Sequence, residues 1–233
     1  MAVKHSVVIN HHVQRLERII SDKSSSYSHK HLMEMRKMAS AVQGLERLAV
    51  SKNPKETNEA HMAKIASAAK RLGTESTKNL NLINDIYIEG LNSLDSAIKQ
   101  EANLLPNKFA VEIRQMFGGM NNKQKMEVLN NALESKDSAT MAAILEAPDM
   151  ISGLNQDTRD RYKDSVEKML APELYQQRVE LNDSYELSLA ADRSIQNAIR
   201  DGFDPVKLAE IEEAEGVHQE AVREFESAMS GNS

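Results

Sequence analysis

The amino-acid sequence predicts an all-α protein, a multi-helix bundle of about nine or ten helices with two long ones. Three observations carry that prediction: apolar residues recur at spacings of three and four, period-two alternation is nearly absent, and only nine Gly and five Pro interrupt 233 residues. The one strand-like stretch, Val7 to Ile9, is too short to form a sheet. Forty per cent of the residues are hydrophobic, enough for a packed core of one domain or two small ones.

The first helix is expected over about Ile9 to Ser21, with Val13, Leu16, Ile19 and Ile20 on its apolar side, until the serine-rich stretch 21–28 breaks it. A second spans about His29 to Val50 on the stripe Leu32, Met35, Met38, Val42, Leu45 and Leu48. Asn53-Pro54 followed by Glu56 carries cap, first-turn proline and acid, and so predicts a third helix, closed near Leu72 by Gly73. Thr74 then caps a long fourth helix to about Ala102, with Leu80, Ile83, Tyr87, Leu91, Leu94 and Ile98 on one face.

Leu104-Leu105-Pro106 punctuates the chain, and a short helix to Phe117 ends at Gly118-Gly119. Asn121 and Gln124 have capping-box spacing for a helix to about Glu134; Asp137 caps another that stops before Pro148. Asn155 opens a helix to Leu170, Pro172 a long one through about Arg200, and Asp204-Pro205 a last one to about Met229. Proline and glycine positions thus divide the chain into 1–102, a basic N-terminal helical region; 103–171, the middle helical hairpins; and 172–233, an acidic C-terminal helical pair.

Charge is strongly polarised. Residues 1–72 hold 13 Lys and Arg against 6 Asp and Glu, a net of +7, and six of the seven histidines; the remainder holds 16 against 29, a net of −13. Lys52, Lys55, Lys64, Lys70 and Arg71 form a candidate contact for phosphates or for an acidic protein. No aromatic residue is interleaved with them, which argues against a stacking platform for single strands. The segment 201–226 carries nine acids and two bases, and Glu210, Glu212, Glu213, Glu215 and Glu220 make an acidic interaction face. Opposite charge at the two ends favours head-to-tail association, which builds rings or filaments.

Enzyme chemistry finds little footing. Without cysteine there is no thiol nucleophile, disulfide or Cys-ligated metal. No Walker A, GxGxxG, GxSxG or HExxH pattern occurs, so neither catalytic residues nor cofactor nor metal are expected. His29, His31 and Glu34 read better as exposed polar residues than as ligands, and the single Glu215-x-x-His218 pair lacks the second motif and extra glutamates of a di-iron bundle. Asp157, Asp160, Asp164 and Glu167 read as a solvated face paired with Arg161 and Lys168. Met33, Met35 and Met38 offer either core packing or an adaptable binding face. Residues 1–10 lack the apolar core of a secretory signal, and the longest apolar run, Met141 to Leu145, cannot span a bilayer. A soluble, intracellular protein is therefore expected.

The middle region carries a resemblance. The run from Glu112-Ile113-Arg114 through Lys125-Met126-Glu127, Ala132 to Asp137 and Ala142 to Pro148 to Ile151-Ser152-Gly153-Leu154 is similar to a pattern in small helical proteins of tailed bacteriophages and prophages. It covers about 40 residues and carries no active-site positions. The resemblance implies a virion or assembly component, in the particle or in the host-cell cytoplasm during assembly, whose partners are other copies of itself and other virion proteins. Two alternatives are a DNA-binding or packaging-associated module using the basic helices, and a regulatory protein that holds a host partner through its Met-rich helix.

Overall fold

A computed structural model describes residues 4–105, 108–202 and 205–230; of the last group, side chains are described only for 210, 213 and 216–229. Among the described residues all regular structure is helical: α1 (His5–Ile19), α2 (Ser26–Val50), α3 (Asn58–Glu101), α4 (Ala110–Gly118), α5 (Asn122–Glu134), α6 (Ser138–Leu145), α7 (Asp149–Ser152), α8 (Gln156–Leu170), α9 (Pro172–Gly202) and α10 (Pro205–Ser230). The all-α class read from the periodicity is the observed one. Four of the helices reach 25 residues or more, α3 with 44 and α9 with 31 being the longest, so length does not single out a pair.

Two expected helix boundaries are corrected. Gly73 does not close a helix, because α3 runs through it: Ala66, Ala69, Leu72, Ser76, Asn79 and Ile83 form one buried stripe across the glycine. Burial of that stripe outweighs the ~1 kcal/mol that a mid-helix glycine costs relative to alanine. Thr74, read as a cap, instead bonds back to the Lys70 carbonyl inside the helix. Asn53 caps only a turn, its Oδ1 accepting from Lys55 N at 3.0 Å, and the helix starts four residues later with Thr57 Oγ1 accepting from Ala60 N. The expected Asp204 cap lies outside the described residues.

The chain forms two packed units. The first comprises Met1–Ser21, Ser28–Ile86 and Ser184–Ser233, the second Asp22–Tyr27 and Tyr87–Asp183. These limits cut α3 and α9, whereas the proline and glycine signals mark helix ends.

In the first unit, Ile9, Val13 and Leu16 of α1, Leu32, Met35, Met38, Val42 and Leu45 of α2, Ala69 and Leu72 of α3, and Leu187, Ala191, Ile195 and Ala198 of α9 share one core. Each set follows the three-four spacing that puts residues on one helix face. Met35 and Met38 are thereby committed to packing, which removes the Met-rich binding face; Met33 alone of that cluster is exposed.

The second unit is built around Ile98, Phe117, Leu129, Met141, Ile144, Leu154, Tyr162 and Val166. The capping box of α5 is present in both directions, Gln124 N to Asn121 Oδ1 and Asn121 N to Gln124 Oε1, each 3.0 Å. Asp137 accepts from Thr140 N at 3.0 Å and Asn155 from Thr158 N at 2.9 Å. Hydrogen bonds from Thr140 outweigh partial burial and hold the Asp137 carboxyl below its usual range. The short α7 escaped the sequence analysis, since four residues carry no periodicity. It begins after Pro148 and ends at Gly153, whose φ of +62° closes it with a hydrogen bond to the Asp149 carbonyl.

Candidate functional site

The sequence singles out charged contacts, and the structure places most of them on the surface. Lys52, Lys55, Lys64, Lys70 and Arg71 are all exposed, the first two in the connection between α2 and α3 and the others along α3. They do not form a uniform positive field. Lys64 Nζ lies 2.6 Å from Glu56 Oε1, and His61 Nδ1 approaches the other oxygen of that carboxylate at 3.5 Å. The Lys64 hydrogen bond holds the Glu56 carboxyl below its usual range. One turn beyond Arg71, Glu75 pairs with Lys78 at 2.8 Å, and Lys37 and Arg71 add to the field that keeps it ionised. Carboxylates thus interleave with the bases, and Lys70 and Arg71 stand out as the adjacent exposed pair.

Of the acidic face, Glu210, Glu213 and Glu220 are exposed on α10; Glu212 and Glu215 also belong to this helix, but their side chains lie outside the described residues. Every described side chain of α10 is exposed, apolar ones included: Phe225 at 66 % and Met229 at 74 %, with Val217 and Val222 beside them. The exposed apolar content of this helix is the feature that charge counting missed. Its signal was available in the recurrence of apolar residues at 208, 211, 222, 225 and 229.

Two readings of titratable clusters are corrected. His31 is fully buried, not exposed: Nε2 meets the Ile83 carbonyl at 3.1 Å and Nδ1 meets Ser184 Oγ at 2.8 Å, while His29 remains on the surface. Burial pushes its pKa down to about 4, against the opposing effect of the Ile83 carbonyl. Glu167 leaves the solvated acidic stripe, being 2 % exposed and bonded to the Arg178 guanidinium, which also reaches Asp95 at 2.8 Å. Burial works against the Arg178 charge, but the two carboxylates override it and raise its pKa. These groups hold helices together.

Among the described residues no group of three or more His, Asp or Glu is placed to hold a metal ion. An apolar crevice between α5, α6 and α8, lined by Ala132, Leu133, Lys136, Met141, Val166, Met169 and Leu170, is too shallow to enclose even a water-sized molecule, far from the few hundred cubic ångströms of ordinary ligand pockets. None of the described helices is long and apolar enough to cross a membrane. No protein-family model, curated protein or solved structure matches the chain.

Proposed function

We propose that this protein is a non-enzymatic structural or assembly component that works through repeated protein contacts, as the resemblance to helical proteins of tailed bacteriophages implies. The observation that supports this reading is α10: a 26-residue helix that combines exposed Phe225, Met229 and Val222 with exposed Glu210, Glu213 and Glu220. Exposed apolar residues rimmed by charge are the signature of a surface that another protein covers. The partners in this reading are further copies of the chain and other virion proteins, inside the head, at the portal vertex or on a transient scaffold.

Light scattering on the full chain at two protein concentrations and two salt levels tests the proposal. An assembly larger than the 26.0 kDa monomer that grows with concentration is the expected result. A monomer under all four conditions contradicts self-assembly.

The exposed Lys70 and Arg71 pair supports a second reading, a DNA-binding or packaging-associated module. That reading predicts duplex binding at about 50 mM salt that falls steeply as salt rises. Lys70→Glu together with Arg71→Glu abolishes it, and absence of binding by the unaltered chain at that salt disposes of it.

A further inference from the structure

The α10 helix carries a second periodicity inside its acidic sequence. Leu208, Ile211, Val222, Phe225 and Met229 fall at the a and d positions of a heptad repeat, and Glu215 and His218 occupy the two such positions between them. The stripe spans three heptads, long enough to specify a two-stranded coiled coil. Its described members, His218, Val222, Phe225 and Met229, are exposed. Glu210, Glu213, Glu220 and Glu224 fall at the c and f positions, on the opposite side of the helix.

The occupant that fits this stripe is a second copy of itself, and the polar pair fixes the direction. In a parallel pairing Glu215 of one copy lies beside Glu215 of the other, placing two like charges in one core layer. Turned antiparallel about the point between Gly216 and Val217, each Glu215 instead meets the His218 of the other copy. The same turn sets Ile211 against Val222 and Leu208 against Phe225, so apolar layers flank two complementary polar ones. Ala214, Ala221 and Ala228 line one flank at the g positions, where small side chains permit close approach of the helices. We infer that α10 is a homodimerisation element, pairing antiparallel with the α10 of a second chain through the stripe Leu208 to Met229 and leaving Glu210, Glu213, Glu220 and Glu224 outward. This inference rests on the reading of the protein as one that works through protein contacts, and names its first partner.

Two measurements on the full chain test it. In light scattering, Val222→Asp with Phe225→Asp weakens dimerisation about tenfold or more, because it places charge in two apolar layers on each chain. Circular dichroism of that variant stays unchanged if the rest of the fold is intact. Because the chain has no cysteine, direction is read by oxidation: Ile211→Cys protein mixed with Val222→Cys protein gives the mixed disulfide dimer, while neither alone cross-links efficiently. Self-cross-linking by each variant alone, without the mixed product, overturns the antiparallel register. An oligomer whose mass ignores the two aspartates overturns α10 pairing but leaves the assembly reading standing. A wild-type monomer at high concentration overturns both.

Discussion

His31 Nδ1 and Ser184 Oγ meet at 2.8 Å inside the first unit, joining α2 to α9, while the other ring nitrogen reaches the Ile83 carbonyl on α3. A carbonyl only accepts, so Nε2 carries the proton and Nδ1 accepts from the serine hydroxyl. The neutral ring is therefore satisfied on both sides and ties three helices together. Protonation would add a second donor facing Ser184 in a site with no exposure to water.

The pH dependence of stability follows with a definite sign. An unfolded histidine takes up its proton near pH 6.5, whereas His31 in the fold does so only near 4. Stability from this site is complete above pH 6.5 and is lost as pH falls toward 4, by about 3 kcal/mol in all. Urea denaturation across that interval should show the decline. In His31→Gln, which does not titrate there, the larger part of the slope disappears; an unchanged slope contradicts the assignment.

Arg178 bridges Asp95 on α3 and the buried Glu167 on α8. Removing the guanidinium in Arg178→Ala leaves Glu167 ionisable without its partner and costs about 3–5 kcal/mol. Adding Glu167→Gln should recover a substantial share, since the residual group is then neutral. A double variant no more stable than Arg178→Ala would mean that lost packing, not the orphaned charge, dominates.

Lys125 donates from Nζ to the Ser152 carbonyl at 2.9 Å and lies 5.4 Å from the centre of the Phe117 ring. The ammonium thereby caps the end of α7, beside Gly153. A Cβ built on Gly153 would stand 2.5 Å from that Nζ, at a backbone φ of +62°. Gly153→Ala should destabilise the protein by about 1–2 kcal/mol from the left-handed conformation alone. Lys125→Met should also destabilise, by leaving the carbonyl without its donor. Thermal unfolding of each single variant and of the pair measures the coupling, and additivity would show that the two do not share a site.

Gly90 sits where α3 meets Tyr27 and Leu181. A Cβ there would come within 2.7 Å of the Tyr27 ring and 2.8 Å of a Leu181 methyl. Gly90→Ala is expected to cost about 1–3 kcal/mol through overpacking, although alanine is the better helix former by ~1 kcal/mol. A stabilised variant would mean that Tyr27 moves aside freely.

The motif that carries the phage resemblance has a physical counterpart in this same region. Ala147 and Leu154 are buried, Pro148 precedes α7, Gly153 supplies the left-handed residue and Ser152 the carbonyl that Lys125 caps. Its residues therefore answer to packing and chain reversal. The contact surfaces proposed for this protein lie elsewhere, on α10 and around Lys70 and Arg71.

Local chemistry alone determined much of this protein. The three-four recurrence of apolar side chains specified helices, because that spacing places them on one face whatever the neighbours are. Asn121, Asp137 and Asn155 announced their helix starts because a cap acts within three residues of chain. Tertiary structure decided what depends on distant residues. Gly73 is helical because a continuous buried stripe spans it, and Asn53 yields to Thr57 although its own sequence carries the stronger start signal. His31 and Glu167 read as surface groups in sequence, yet they are core groups whose partners, Ser184 and Arg178, lie 153 and 11 residues away. Charge and polarity are visible in a sequence, but whether a polar group faces water or a complementary partner is settled only when helices pack and the cost of leaving it unpaired must be met.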